Sequence, residues 1–148
     1  MAKNLILVSH GTFCEELKNS TEMIMGPQTN IYPVPLLPSE GAEDFKEKFL
    51  SVVENLDDYI VFADLLGGTP CNVVSRLLME GYHFELYAGM NMPMVIGFLN
   101  GVLLGSEVDI IHYGKENIHR VNDLLSDDSE DDELSFVVSI LVLRLGET

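Results

Sequence analysis

Lys3-Asn4-Leu5-Ile6-Leu7-Val8-Ser9-His10-Gly11 begins with two polar residues, passes through four aliphatic ones and ends on a histidine and a glycine. A short, almost unbroken apolar run of this kind predicts a strand buried on both faces, and the glycine marks the start of a polar turn. A second run, Tyr59-Ile60-Val61-Phe62-Ala63, ends just as abruptly in Asp64-Leu65-Leu66-Gly67-Gly68-Thr69-Pro70. Strands covered on both faces belong to parallel sheets, so the two runs read as sister strands of one sheet.

Between and beyond these runs the period changes. Phe13, Leu17, Thr21, Ile24 and Met25 fall at three- and four-residue steps, a helical stripe closed by Gly26-Pro27. Residues 30–37 are extended but carry Pro33 and Pro35, with Pro38 following, and a strand with that many missing donors survives only at a sheet edge. Ser39 with Glu43 is expected to open a second helix, with Ala42, Phe45, Phe49, Val52 and Val53 on its apolar face. Thr69 as a cap before Pro70 opens a third, buried through Val73, Val74, Leu77 and Leu78 and ending at Gly81. Residues 84–87 form a fourth strand, and Gly89-Met90-Asn91-Met92-Pro93 leads into a helix through Leu99, with Met90, Met92 and Met94 filling the core. Residues 108–113 read as a short extended piece and 116–125 as another helix. Residues 134–145 form a final β-branched strand.

Alternating strands and helices predict an α/β fold in three layers, a doubly wound single domain over residues 1–148. The four-stranded parallel sheet takes the order 2-1-3-4, with the C-terminal strand as an antiparallel fifth, able to pair at home or with a neighbouring subunit.

Composition narrows the partners. The 148 residues hold 24 Asp and Glu against 8 Lys and Arg, a net charge of −16. Nucleic acid and anionic membranes are repelled by such a chain, and basic protein surfaces are steered toward it. Residues 123–133 carry seven carboxylates in eleven positions, which reads as a solvated acidic loop or a docking patch for a basic partner. Two cysteines without CxxC spacing fit a reducing cytoplasm and no metal site. No segment reaches the length of a membrane span, and the first apolar run is too short for a signal peptide.

In doubly wound sheets functional groups collect outside the carboxyl ends of the strands, where strand order reverses. His10 and Asp64 each end an apolar strand there. If the two strands are neighbours about 4.8 Å apart, the side chains can meet. A carboxylate on one ring nitrogen fixes the tautomer, leaves the other lone pair free to attack and stabilises the charge the ring acquires. Gly67 and Gly68 permit close approach of backbone N–H groups, Thr69 adds a hydroxyl, and a helix N-terminus follows, which together suit phosphate. Each part has an ordinary reading as well: a structural histidine, a turn-capping aspartate, a tight strand-to-helix connection. Neither GxxxxGK[ST] nor GxGxxG is present, which argues against a nucleotide site. Ser9 projects to the opposite face from His10, and His83, His112 and His119 lack comparable surroundings.

Val8-Ser9-His10-Gly11, Asp64-Leu65-Leu66-Gly67-Gly68-Thr69-Pro70-Cys71-Asn72 and Gly89-Met90-Asn91-Met92-Pro93-Met94, in this order and spacing, resemble the mannose-class IIA components of the bacterial phosphoenolpyruvate-dependent sugar phosphotransferase system. The resemblance covers residues 1 to about 125. It implies a cytoplasmic phosphocarrier in which His10 takes a phosphoryl group from the carrier protein HPr and passes it to a histidine of a separate IIB subunit. It further implies that Asp64 orients His10, that Gly67, Gly68 and Thr69 surround the phosphate, and that Gly11, Asn91 and Pro93 lie in supporting loops. A homodimer with an exchanged C-terminal strand and indirect association with the membrane subunits IIC and IID belong to the same picture. The acidic stretch before the last strand departs from it. No metal or cofactor is called for. Two other readings stand beside this one: a regulatory module of the same fold without a transport acceptor, and a small hydrolase or ligand-binding domain using a closed cavity over Asp64.

Overall fold

The computed structural model describes residues 2–126; the expected C-terminal strand and most of the acidic stretch lie outside them. The first apolar run is strand β1 (Leu5–His10), followed by helix α1 (Phe13–Met25), β2 (Ile31–Leu36), α2 (Ala42–Val53), β3 (Ile60–Ala63), α3 (Thr69–Met79), β4 (Glu85–Ala88), α4 (Met92–Leu104), α5 (Ile110–Glu116) and α6 (Val121–Leu125). The strands form one parallel sheet in the order β2-β1-β3-β4. Strand order therefore reverses between β1 and β3, and their carboxyl ends flank the crevice.

The two-residue alternation of β1 divides the core. Leu5 and Leu7 face one side with Cys14 and Leu17 of α1 and Met94, Val95 and Phe98 of α4. Ile6 and Val8 face the other, with Phe45 and Phe49 of α2 and Val74 and Leu77 of α3. Both layers are lined by buried apolar side chains, and β1 is buried from Leu5 through Ser9. Met90 and Met94 are buried and Met92 packs at the margin, as gap-filling methionines should. Strand β2 is an edge, as its prolines require. Its carbonyls do not all go to β1: Lys48 Nζ of α2 reaches across to Pro35 O and also donates to Glu40 Oε1. Glu40 Oε1 in turn accepts from Leu37 N (2.8 Å), so one carboxylate holds the β2–α2 loop closed.

Helix boundaries correct several expectations. Helix α2 begins after Gly41 rather than at Ser39, because Asp44 Oδ2 accepts the Gly41 N–H (2.9 Å) and supplies the cap from inside the helix. Phe13, counted in the apolar stripe of α1, is exposed; the buried face is Cys14, Leu17 and Thr21. Helix α4 continues past Leu99 to Leu104, ending where Gly105 takes φ +63°. Residues 108–113 do not form a strand, and from Ile110 onward they are helical. Asp109 Oδ1 accepts His112 N (3.0 Å), and this cap starts α5 at Ile110, overriding the β-branched pair Ile110-Ile111. Nor is 116–125 one helix: α5 stops at Glu116, where Asn117 Nδ2 donates to Tyr113 O (2.7 Å), and within 117–125 only Val121–Leu125 is helical.

Phe49 is fully buried and meets both Tyr59 and Phe84 edge-on or tilted, with ring centroids 6.4 and 6.1 Å away. Phe49→Ala is expected to destabilise by about 3–5 kcal/mol, read from urea unfolding. The Lys48 ammonium, and then the Leu37 N–H, hold the Glu40 carboxyl below the ordinary carboxylate range. A folded-state value lower than the unfolded one contributes stability that is present above the unfolded value and lost as pH falls through the folded one. The stability gap between wild type and Glu40→Gln should therefore be open at neutral pH and close on acidification, and unfolding midpoints across a pH series measure it.

Candidate functional site

The site begins with Ser9. Its buried hydroxyl accepts Cys14 N (2.9 Å) and donates to Gly11 O (3.0 Å), which fixes the turn from β1 into α1. Gly11, at φ +55°, donates its N–H to Leu36 O of β2 (2.7 Å). Between these anchors His10 projects from the strand end with its side chain half exposed (50%). Asp64, directly after β3, donates its N–H to Val8 O (3.2 Å) and so continues the β1–β3 ladder by one residue.

That extra rung brings the two side chains together. Asp64 Oδ2 lies 2.7 Å from His10 Nδ1 and accepts the His10 backbone N–H at 2.9 Å, while Oδ1 accepts Leu65 N at 2.8 Å. The carboxylate side chain is 14% exposed and accepts all three bonds. An ionised carboxylate is acceptor-only, so Nδ1 carries the proton that it donates to Asp64, and Nε2 presents its lone pair. Among the described residues Nε2 has no hydrogen-bond partner.

The other wall of the site is the turn before α3. Gly68 N donates to Leu65 O (3.2 Å), closing a four-residue turn whose third residue, Gly67, has φ +85°. That conformation selects glycine. Gly68 is glycine for a different reason: a Cβ there would stand 2.6 Å from His10 Cε1 and 3.3 Å from Nε2. The ring lies directly against the Gly68 backbone. Gly68, not Thr69, is the N-cap of α3; Thr69 and Pro70 are its first two residues, and no side chain caps it. The Thr69 N–H and Cys71 N–H have no intrahelical acceptor at this end, and the Thr69 hydroxyl is exposed. A helix start left open beside an imidazole nitrogen is suited to an anion held between them.

His10, Asp64, Gly68 and, adjoining them, Gly11, Gly67 and Thr69 are thus brought to one edge of the sheet. Asn91 and Pro93 serve α4: Asn91 Oδ1 accepts Met94 N (3.0 Å) as its cap, and among the described residues no hydrogen bond joins Asn91 to His10 or Asp64. His83, His112 and His119 are exposed and lie outside the site. No group of three or more His, Cys, Asp or Glu placed to hold a metal occurs among the described residues, and no helix there is long and apolar enough to cross a membrane. Two features escaped sequence reasoning. Phe13, Leu37, Leu65 and Leu66 are exposed apolar side chains, each close in the chain to a residue bonded to the site; two leucines inside a glycine turn were the visible signal. Asn72 is the other, its side chain donating to Gly67 O (3.2 Å).

Comparison with known proteins identifies the family. A family model described as "PTS system fructose IIA component" matches residues 4–110. The mannose-specific EIIAB component of Escherichia coli K12 is 33% identical over 95 residues, a match that takes in 62% of this chain and 29% of that protein. The fructose-specific EIIA component of Bacillus subtilis is 29% identical over 100 residues, 66% of this chain and 68% of that one. Among solved structures, a PTS IIA protein associated with the fucose utilization operon of Streptococcus pneumoniae superposes with a TM-score of 0.75 at 25% identity, covering 85% of this chain and all of that one. This chain spans less than a third of the length of the E. coli relative. The family match extends over the whole of the described sheet and all of the site, and the chain belongs to the PTS system fructose IIA component family.

Proposed function

We propose that the chain is a histidine phosphocarrier of a sugar phosphotransferase system, receiving a phosphoryl group from phospho-HPr on His10 Nε2 and passing it to a histidine of a separate IIB subunit. The observation that carries this reading is the 2.7 Å contact between His10 Nδ1 and Asp64 Oδ2. It sets the attacking nitrogen.

The Nε2 lone pair attacks phosphorus in line with the donor's P–N bond. As the new N–P bond forms the donor bond breaks, and its electron pair returns to the donor imidazole, which leaves neutral because its other nitrogen is protonated. His10 becomes a phosphorylated imidazolium, its Nδ1 proton still donated to Asp64, whose negative charge offsets the ring's positive charge. The Thr69 hydroxyl and the open N–H groups of α3 meet the phosphoryl oxygens. Transfer to IIB is the same step reversed onto a new histidine. Such a transfer depends on positioning and charge stabilisation, and the residues present supply both.

A half-exposed histidine, with Leu65 and Leu66 exposed in the turn that follows Asp64, supports protein docking over the closed cavity a small-molecule hydrolase would use. A net charge of −16 suits donors and acceptors with basic surrounds. The work of such a chain lies in the cytoplasm, with indirect association to IIC and IID. The unpaired side of β4, which bonds only β3 among the described residues, would accept a further strand, consistent with a homodimer exchanging residues 134–145.

Incubation with phosphoenolpyruvate, enzyme I and HPr should add one acid-labile phosphate by intact mass, absent in His10→Ala; no mass gain in wild type would refute the proposal. Asp64→Asn, which removes the negative charge that offsets the phosphorylated imidazolium, should slow transfer by about 10²–10³-fold in rapid-quench kinetics. The rate of transfer from phospho-HPr should fall steeply from low to high salt, and a flat profile would remove the role given to charge.

A further inference from the structure

We infer that Asn72 is a positioning residue for phosphoryl transfer, acting on His10 through the Gly67–Gly68 peptide. The inference rests on the phosphocarrier reading above.

The chain of contacts is short. The His10 ring is bounded on one edge by Asp64 Oδ2 at Nδ1 and on its Cε1–Nε2 side by the backbone of Gly68. The first is a directional bond. The second is only a wall, and it holds the ring as firmly as Gly68 itself is held. Gly68 has no side chain to anchor it, and Gly67 before it sits at φ +85°, a region glycine enters and leaves at little cost. Left to itself, a Gly-Gly pair in an exposed turn is the most mobile part of such a site. What fixes it is a pair of bonds on one peptide unit. Its N–H donates to Leu65 O at 3.2 Å, and its carbonyl, Gly67 O, accepts from Asn72 Nδ2 at 3.2 Å. Asn72 stands on the first turn of α3, where its own N–H donates to Gly68 O (2.9 Å), so the helix start grips the peptides on both sides of Gly68.

The side chain of Asn72 is exposed and makes no other hydrogen bond among the described residues: it neither packs in either core layer nor caps a helix. Its one bond goes to the peptide that backs the nucleophile. Loss of that bond frees the Gly67–Gly68 peptide to rotate, which withdraws the wall from Nε2. Misplacement on the order of 1 Å at a reacting centre costs about a hundredfold in rate, so a partial loosening is expected to cost about tenfold.

Asn72→Ala and Asn72→Asp test this together. The aspartate is nearly the same shape but cannot donate to Gly67 O, and it is favourable at a helix N-terminus, so it keeps the fold. The alanine excludes added negative charge as the cause of any effect. Two phosphoryl sources are used: phospho-HPr, which must dock, and phosphoramidate, which does not. Both variants should lose about tenfold in phosphoramidate uptake and in kcat from phospho-HPr, with KM for phospho-HPr and the thermal midpoint close to wild type. Unchanged phosphoramidate uptake overturns the inference, whether kcat is also unchanged or KM alone rises, since Asn72 would then be idle or a docking residue. A tenfold loss in the aspartate variant alone also overturns it, because charge would be the cause. Wild type that takes phosphate from neither source instead removes the phosphocarrier reading on which the inference stands.

Discussion

One carboxylate oxygen holds this site together. Asp64 Oδ2 accepts both the backbone N–H and the Nδ1–H of His10, so a single atom ties the end of β3 to the end of β1 and orients the ring. The arrangement requires the two strands to be hydrogen-bonded neighbours in register, Val8 opposite Ala63, with one further rung from Asp64 N to Val8 O. It requires β1 to be rigid up to its last residue, which burial from Leu5 to Ser9 and the Ser9 hydroxyl provide. The two core layers keep the strand ends in place, and the strand ends fix the geometry of the histidine.

The remaining walls show what that geometry excludes. Glycine at an N-cap is a weaker choice than Ser, Asn or Asp. Here any side chain at position 68 would collide with the His10 ring, so the helix forgoes its cap and its first amides remain open toward the ring. A local concession of this kind at a strand-to-helix turn is expected where a site is built, because a sequence optimised only for stability would have capped α3. The exposed pair Leu65-Leu66 is a second concession, apolar surface left on a turn beside a half-exposed histidine.

Much of this was legible in the sequence. The two apolar runs gave buried strands and the prolines of residues 30–37 placed β2 at an edge; those assignments do not fix the order of the four strands by themselves, and the expected order 2-1-3-4 matches the sheet. The meeting of His10 and Asp64 was legible because both stand where apolar runs stop. Side-chain caps were read less well. Asp44 and Asp109 set the starts of α2 and α5 through single bonds that no periodicity reveals, and Asp109 turned a β-branched segment into helix. Asn72 was visible only as a letter in a motif, since its bond to Gly67 O depends on the turn that Gly67 makes. Phe13 was misassigned to the core because it falls in step with Leu17, although the buried face of α1 is set by Cys14.

The central claim is that Asp64 chooses which ring nitrogen of His10 reacts. Its most direct test is nitrogen-15 and phosphorus-31 NMR of the phosphorylated protein with labelled histidine. The account predicts the phosphoryl group on Nε2, with Nδ1 protonated and bonded to Asp64. A phosphoryl group on Nδ1 of His10, or on another histidine, would contradict it.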